Sequence, residues 1–143
     1  MIVNMQILSI FLLALVLPVD AAEIKISKLR SGDGYVAVSV FPESGRDAFP
    51  GEAKGAEKSM YVKLSGSTEV TLQLKDLPKG RYAIAVLHDE DGDRKLDSLL
   101  GMPAEGFGFS NNPTVYFGPP GFDKAAVEID DSAELNIAMK YLL

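Results

Sequence analysis

The stretch 88–97, HDEDGDRKLD, places five carboxylates within nine positions around a single glycine. Carboxylates at this density repel one another unless a cation or a basic side chain compensates them. Three kinds of chemistry fit these residue types: a cation site, a catalytic cluster with His88, or a solvated acidic turn with local ion pairs. The strands and loops predicted for the rest of the chain help to weigh these three alternatives.

The spacing of the acidic residues favours a hard cation such as Ca²⁺, which takes roughly six to eight oxygen ligands. Asp89, Asp91 and Asp93 fall at positions 1, 3 and 5 of an EF-hand-type loop. Position 7, which contributes a backbone carbonyl, is Lys95, and position 9 is Asp97. We therefore predict a Ca²⁺ site at these five residues.

Two positions depart from that loop. Position 6, where the sharp turn calls for glycine, is Arg94, and the glycine stands two residues earlier as Gly92. Position 12, where a bidentate glutamate is expected, is Leu100, although Glu105 could reach in from later in the loop. Arg94 and Lys95 could instead neutralise the carboxylates directly, so a solvated turn without a metal ion stays open as an alternative.

His88 is the only histidine of the chain and therefore the one candidate for an imidazole general base or metal ligand. The chain has no cysteine, and a zinc site with one imidazole and several carboxylates would be unusual. No serine stands in a nucleophile-elbow pattern. We interpret His88 as a strand-end residue that is hydrogen-bonded near the loop, and we assign no catalytic residue. The alternative is a hydrolase, such as a carbohydrate-active enzyme, that uses His88 with a loop carboxylate.

The N-terminal segment predicts export. Residues 7–17, ILSIFLLALVL, form an apolar run about half as long as a bilayer span, and Val19 and Ala21 fit the −3 and −1 positions of a signal-peptidase site. We predict a cleaved signal peptide over residues 1–21, although no basic residue precedes the apolar run. A single domain then covers residues 22–143, in the periplasm or outside the cell. The alternative is a buried N-terminal strand or helix.

Composition narrows the partners of this domain. With 20 acidic and 14 basic residues the net charge is −6, which argues against a nucleic-acid partner because such a partner requires a basic patch. The absence of cysteine excludes disulfides and thiolate metal sites. No later apolar run is long enough to cross a membrane, so we expect no membrane span in the mature chain.

The remaining sequence alternates between apolar and polar residues in short runs separated by Gly-, Pro- and Asp-rich turns. The runs cover residues 23–29, 35–41, 60–64, 69–74, 81–88, 125–129 and 135–142. This pattern predicts an all-β fold, a single antiparallel β-sandwich of about seven strands of the immunoglobulin-like or prealbumin-like kind. Two long loops interrupt it, 42–59 and 89–113, and the acidic stretch opens the second.

The second loop ends in an aromatic and glycine-rich segment. In GMPAEGFGFSNNPTVYFGPP, residues 101–120, the aromatic residues Phe107, Phe109, Tyr116 and Phe117 lie among glycines, prolines and asparagines. We interpret the segment as a loop that folds over one end of the sandwich, with its Phe side chains plugging the core. The alternative is a binding surface for a sugar, a peptide or a hydrophobic ligand, that is, a protein-interaction module that uses the loop from Phe107 to Phe117.

Three segments, LPKGRYAIAVLHDEDGDRKLD, LGMPAEGFGFSNN and FGPPGFDKAAVEI, resemble the bacterial exported family called domain of unknown function 2141 (DUF2141). The resemblance covers essentially all of residues 22–143, but the family pattern typically has a glycine where this chain has Arg94. The acidic loop after its strand also resembles prealbumin-like and carboxypeptidase-regulatory-type sandwiches, whose relatives include calcium-binding surface modules. The resemblance implies an exported β-sandwich and no established activity. We expect a non-enzymatic binding or structural module with a protein or carbohydrate ligand.

Overall fold

The structure is a computed structural model that describes residues 21–94, 98–99 and 102–143. In chain order its strands are β1 (Ala22–Ser27), β2 (Tyr35–Pro42), β3 (Lys58–Lys63), β4 (Val70–Leu74), β5 (Gly80–Asp89), β6 (Ser98–Leu99), β7 (Met102–Pro103), β8 (Gly106–Phe109), β9 (Val127–Ile129) and β10 (Glu134–Ala138). The described helices are short: 3₁₀ turns at Glu43–Gly45 and Ala53–Gly55 and one α-helical turn, α1 (Phe122–Ala125). None of them has the length or the apolar character needed to cross a bilayer. Residues 1–20 of the predicted signal peptide lie outside the described residues.

The strands form two main sheets. A three-stranded sheet has the order β10-β1-β4, and a five-stranded sheet has the order β3-β2-β5-β8, with β9 paired to the start of β5. The short strands β6 and β7 pair only with each other among the described strands. Antiparallel pairing dominates, which confirms the predicted all-β sandwich class. The pair β1–β10 is parallel, with Ile24 opposite Leu135, a detail that strand alternation does not reveal.

Apolar side chains of the two sheets form the main core. Alternate residues of a strand point to opposite faces, so one set from each strand faces the other sheet. The buried members from three central strands are Ala22, Ile24 and Ile26 of β1, Val36, Val38 and Val40 of β2, and Tyr82, Ile84 and Val86 of β5. Burial of such side chains stabilises the fold by about 25 cal/mol for each Å² of apolar surface removed from water.

A second, aromatic core covers the opposite face of the five-stranded sheet. Its buried members are Phe41, Phe49, Ala83, Phe107, Phe109, Phe122 and Ala125. The Phe49 ring meets the rings of Phe41, Phe109 and Phe122 edge to face, at centroid distances of 5.4, 5.9 and 6.2 Å. Phe107 and Phe109 therefore do fill a core, but that core lies on the outer face of a sheet and not at the end of the sandwich.

The segment 89–113, predicted as one long loop, contains three strands: the short pair β6 and β7, and the longer β8. Strand β8 pairs with β5, with Phe109 opposite Ala85 and Gly106 opposite His88. The sequence of β8, GFGF, does not predict a strand, because glycine is depleted in strands and carries no alternation signal. Glycine is required there, since a Cβ on Gly108 would lie 2.8 Å from Cγ2 of Ile137.

Candidate metal centre

Asp89 joins strand β5 to the acidic loop. It is the last residue of β5 and is fully buried. Its Oδ1 accepts the backbone N–H of Gly92 (3.0 Å), and its Oδ2 accepts the backbone N–H of Arg94 (2.9 Å). The hydroxyl of Tyr61, on strand β3, also donates to Oδ2. Asp89 therefore folds the start of the loop back onto the end of the strand.

These contacts determine the charge of Asp89. Burial opposes ionisation, but hydrogen bonds from Tyr61 and from the N–H groups of Arg94 and Gly92 outweigh it and hold the pKa of Asp89 below its ordinary value. Burial of the phenol, together with its bond to Asp89, raises the pKa of Tyr61 to about 12. At neutral pH the pair is therefore a carboxylate anion with a neutral phenol donor.

The loop backbone turns sharply at the two residues that depart from the EF-hand pattern. Gly92 has φ +72° and Arg94 has φ +62°, both in the left-handed region that favours glycine. Arg94 thus adopts, at position 6, the conformation for which glycine is the usual residue. The turn forms although position 6 is an arginine, because the Asp89 carboxylate accepts hydrogen bonds from the backbone N–H groups of both Gly92 and Arg94.

An aromatic stack on the five-stranded sheet supports this turn. The rings of Tyr35 and Tyr61 stack with centroids 4.5 Å apart and planes 12° apart. The guanidinium carbon of Arg94 lies 4.0 Å from the Tyr61 ring centroid. Within the described residues, the Arg94 guanidinium thus contacts an aromatic face rather than a carboxylate.

Four carboxylates converge beside this turn. One carboxylate oxygen from each of Asp89, Asp91, Asp93 and Glu105 lies within 4.8 Å of the others. Oxygens on opposite sides of one Ca²⁺ ion stand about 5 Å apart, because each lies about 2.4 Å from the ion. The spacing therefore fits a single shared Ca²⁺ ion.

Strand β8 brings Glu105 to the cluster. Because Gly106 pairs with His88, the residue before Gly106 comes next to the residue after His88, which is Asp89. Glu105 is buried with 4% of its surface exposed, whereas Asp91 and Asp93 are exposed. The cluster thus combines two buried and two exposed carboxylates from two separate segments of the chain.

The predicted ligands are only partly described. Asp89, Asp91 and Asp93 come together as the spacing suggested, and Glu105 joins them from later in the chain. Lys95 and Asp97 lie outside the described residues, as does Leu100 at position 12. Tyr61 was missed, because it stands 28 positions before Asp89 and no local pattern links the two.

Arg30, in the connection between β1 and β2, fastens both ends of the acidic loop. Its Nε donates to Oε1 of Glu90 (2.7 Å), and its Nη2 donates to the carbonyl of Ala104 (3.3 Å). Burial opposes ionisation of Glu90, but Arg30 outweighs it and lowers the pKa of that carboxyl. A cavity of about 270 Å³ is lined by Arg30, Glu90, Asp91, Ala104 and Glu105. Two of the four converging carboxylates, those of Asp91 and Glu105, therefore line this cavity.

His88 lies on the other side of the strand, away from the carboxylates. It is fully buried, and its Nδ1 is 2.7 Å from the Tyr141 hydroxyl and its Nε2 is 2.8 Å from the carbonyl oxygen of Asp33. A neutral imidazole satisfies both contacts when Nε2–H donates to Asp33 and Nδ1 accepts from Tyr141. Both ring nitrogens are engaged and closed off from solvent, which favours a structural role over general-base catalysis.

The aromatic segment separates into buried and exposed parts. Phe107 and Phe109 are 7% and 8% exposed, so they offer no surface to a partner. Tyr116 and Phe117 are 81% and 104% exposed and project from the chain between β8 and α1. A binding role for this segment therefore rests on Tyr116 and Phe117.

The comparison with protein families agrees with the resemblance drawn from the motifs. The family described as "Uncharacterized protein conserved in bacteria (DUF2141)" matches residues 24–137. No curated protein and no solved structure gives a significant match. The matched range includes the four converging carboxylates, the aromatic core and all but the outermost residues of the two main sheets. The chain therefore belongs to the DUF2141 family.

Proposed function

We propose that this chain is an exported, non-enzymatic β-sandwich module whose acidic loop is ordered by one bound Ca²⁺ ion. The ligands are carboxylates of Asp89, Asp91, Asp93 and Glu105. The observation that carries this proposal is their convergence, with one oxygen from each within 4.8 Å of the others. Carbonyls or carboxylates of the adjoining loop and water complete the coordination that Ca²⁺ requires.

Electrostatics supports a divalent ion at this place. Asp89 ionises readily because its hydrogen bonds lower its pKa, so the cluster carries negative charge at neutral pH. Carboxylates this close repel one another, and a shared divalent cation converts that repulsion into attraction. Arg94 does not supply the compensating charge directly, since its guanidinium lies on the Tyr61 ring.

The donor chemistry favours Ca²⁺ over other common ions. All four candidate donors are carboxylate oxygens, the ligands of hard cations. Zinc prefers nitrogen and sulfur donors, and the one imidazole of the chain is engaged elsewhere. Mg²⁺ requires near-ideal octahedral geometry and gives up its water reluctantly, whereas Ca²⁺ tolerates the irregular ligands of a turn.

Calorimetric titration of Ca²⁺ into the metal-stripped protein tests the site, with melting curves in Ca²⁺ and in chelator. We expect one saturable site, a higher melting temperature in Ca²⁺, and loss of both in Asp91→Asn and Glu105→Gln. Asp47→Asn is the matched control, because it removes the same charge from an exposed side chain outside the cluster and leaves the pair of Arg30 and Glu90 intact. Wild-type protein that shows neither heat nor a melting shift would refute the proposal.

Export has its own test, which does not depend on the metal ion. The predicted signal peptide over residues 1–21 leaves Ala22 as the first residue of the mature domain. Mass spectrometry of the protein recovered from the periplasm or the medium should therefore find Ala22 at the N terminus. Uncleaved protein that stays in the cytoplasm would contradict export and leave the Ca²⁺ proposal intact.

A further inference from the structure

The loop tip at residues 113–121 exposes two adjacent aromatic side chains. Tyr116 is 81% and Phe117 is 104% exposed, the highest values among the exposed large hydrophobic residues of the described chain. On either side of them the chain returns to the protein: Val115 packs against the aromatic core, and Phe122 is buried in it. The two rings therefore project from an anchored loop.

Side-chain hydrogen bonds fix the base of this loop. Asn112 donates from Nδ2 to the carbonyl of Asn136 (2.8 Å) and accepts the N–H of Ala138 on Oδ1 (2.9 Å). Asn111 Nδ2 donates to the carbonyl of Lys124 (2.9 Å). A preformed base lowers the entropic cost of placing the two rings on a partner. The amide groups nearest the tip are already bonded, which disfavours a sugar ligand, since sugar recognition needs free polar groups.

The loop tip itself carries no charge, and charged residues lie only beside its base. No charged residue occurs in residues 106–122. The next acidic residue, Asp123, is paired with Arg46 (2.6 Å) and Arg81 (3.0 Å). Two lysines remain beside the loop base: Lys124 is exposed, and Lys140 donates from Nζ to the carbonyl of Pro113 (2.7 Å). The tip is thus an uncharged aromatic projection flanked by cations.

We propose that Tyr116 and Phe117 insert into the interfacial region of a lipid bilayer. Aromatic side chains favour that region, and the exposed Lys124 can extend its ammonium group to a lipid phosphate. The ammonium of Lys140 stays at the Pro113 carbonyl and adds positive charge beside the tip. The carboxylate cluster lies at the end of β5 opposite to the end that α1 contacts, and α1 directly follows the tip in the chain. An apolar groove on a protein would accept the rings but would give the lysines no anionic layer.

A tryptophan reporter tests this proposal directly, because the chain contains no tryptophan. Phe117→Trp is titrated with phosphatidylcholine vesicles, with and without phosphatidylglycerol, using protein purified after export. We expect a blue shift of the emission, quenching by brominated acyl chains, and tighter binding with phosphatidylglycerol that weakens in salt. In flotation assays Tyr116→Ser/Phe117→Ser should lower the partition coefficient about tenfold or more.

The controls separate insertion at the tip from other binding. Leu142→Ser removes another exposed apolar side chain, 49% exposed and next to Tyr141, and should leave the partition coefficient unchanged. The double variant should keep the wild-type melting temperature, because both side chains are exposed. Emission of the introduced tryptophan that stays solvent-like with both vesicle types would overturn the proposal. Equal partition of wild type and double variant would overturn it as well.

Discussion

The two ends of strand β5 differ in what they bury: the acidic end buries charged side chains, and the aromatic end leaves apolar side chains exposed. At the acidic end, four carboxylates converge, and Asp89 is buried under hydrogen bonds from its own loop and from Tyr61. At the aromatic end, β8 buries Phe109, and the loop that follows β8 projects Phe117 into solvent. Burial of charge calls for a compensating partner inside the site, whereas exposure of apolar surface calls for a partner outside the molecule. This contrast agrees with the two proposals: an ion held at the acidic end, and a membrane surface contacted by the aromatic end.

The largest effect should come from the buried half of the aromatic end. Phe109→Ala removes a ring from the aromatic core and should lower the free energy of unfolding by about 3–4 kcal/mol. Phe117→Ala, a chemically identical change on an exposed ring, should alter it by less than about 0.5 kcal/mol. Urea unfolding monitored by circular dichroism measures both. Equal costs for the two variants would show that the end is not divided into core and surface.

The second largest effect should come from removing the hydrogen bonds that Asp89 accepts at the acidic end. Asp89→Ala leaves the Tyr61 hydroxyl and two backbone N–H groups without their acceptor, so in chelator it should lower the free energy of unfolding by about 2–3 kcal/mol. Asp93→Ala changes an exposed carboxylate and should cost less than about 0.5 kcal/mol under the same conditions. Both variants should lose the heat of Ca²⁺ binding. If Asp89→Ala were as stable as Asp93→Ala, Asp89 would not be the organising residue of the turn.

Variants of Arg94 test how much the left-handed backbone of the turn costs in stability. Its φ of +62° is favourable for glycine and strained for any residue with a Cβ atom. Arg94→Gly should therefore be more stable than Arg94→Ala by about 1 kcal/mol, although both lose the contact with Tyr61. Removing the cation near the cluster should also raise Ca²⁺ affinity a few-fold in both variants. Thermal melts and calorimetry check these outcomes, and a more stable alanine variant would contradict them.

The smallest effect concerns the ion pairs beside the aromatic end. Hydrogen bonds from Arg81 and Arg46 lower the pKa of Asp123. The contribution of such a group to stability is present above its unfolded pKa and is lost as the pH falls through the folded pKa. Wild type should therefore be slightly more stable than Asp123→Asn at pH 7, and the difference should vanish in strong acid. Urea midpoints across this pH range give the comparison; a difference that grows in acid would be inconsistent with it.

The sequence predicted the fold better than it predicted the site. Alternation revealed the strands because side chains on either face of a sheet differ in burial. It missed the two-residue strands β6 and β7, which are too short to alternate, and β8, since the glycines of GFGF carry no such signal. It also could not show that β10 lies parallel to β1. The spacing of Asp89, Asp91 and Asp93 identified three of the four carboxylates that converge. Glu105 and Tyr61 complete the surroundings through long-range pairing, which single-sequence spacing does not encode.

The position of β1 has a consequence for the order in which the protein can fold. The first described strand is the centre of the three-stranded sheet, and one of its two neighbours, β10, is the last. The bond from Ser27 to Asn136 alone spans 109 positions. Contacts this distant form late, because a long segment must be closed before they reward it. A growing chain therefore cannot complete this sheet until synthesis has passed residue 138, so β1 waits for its β10 neighbour while more than 100 residues are added.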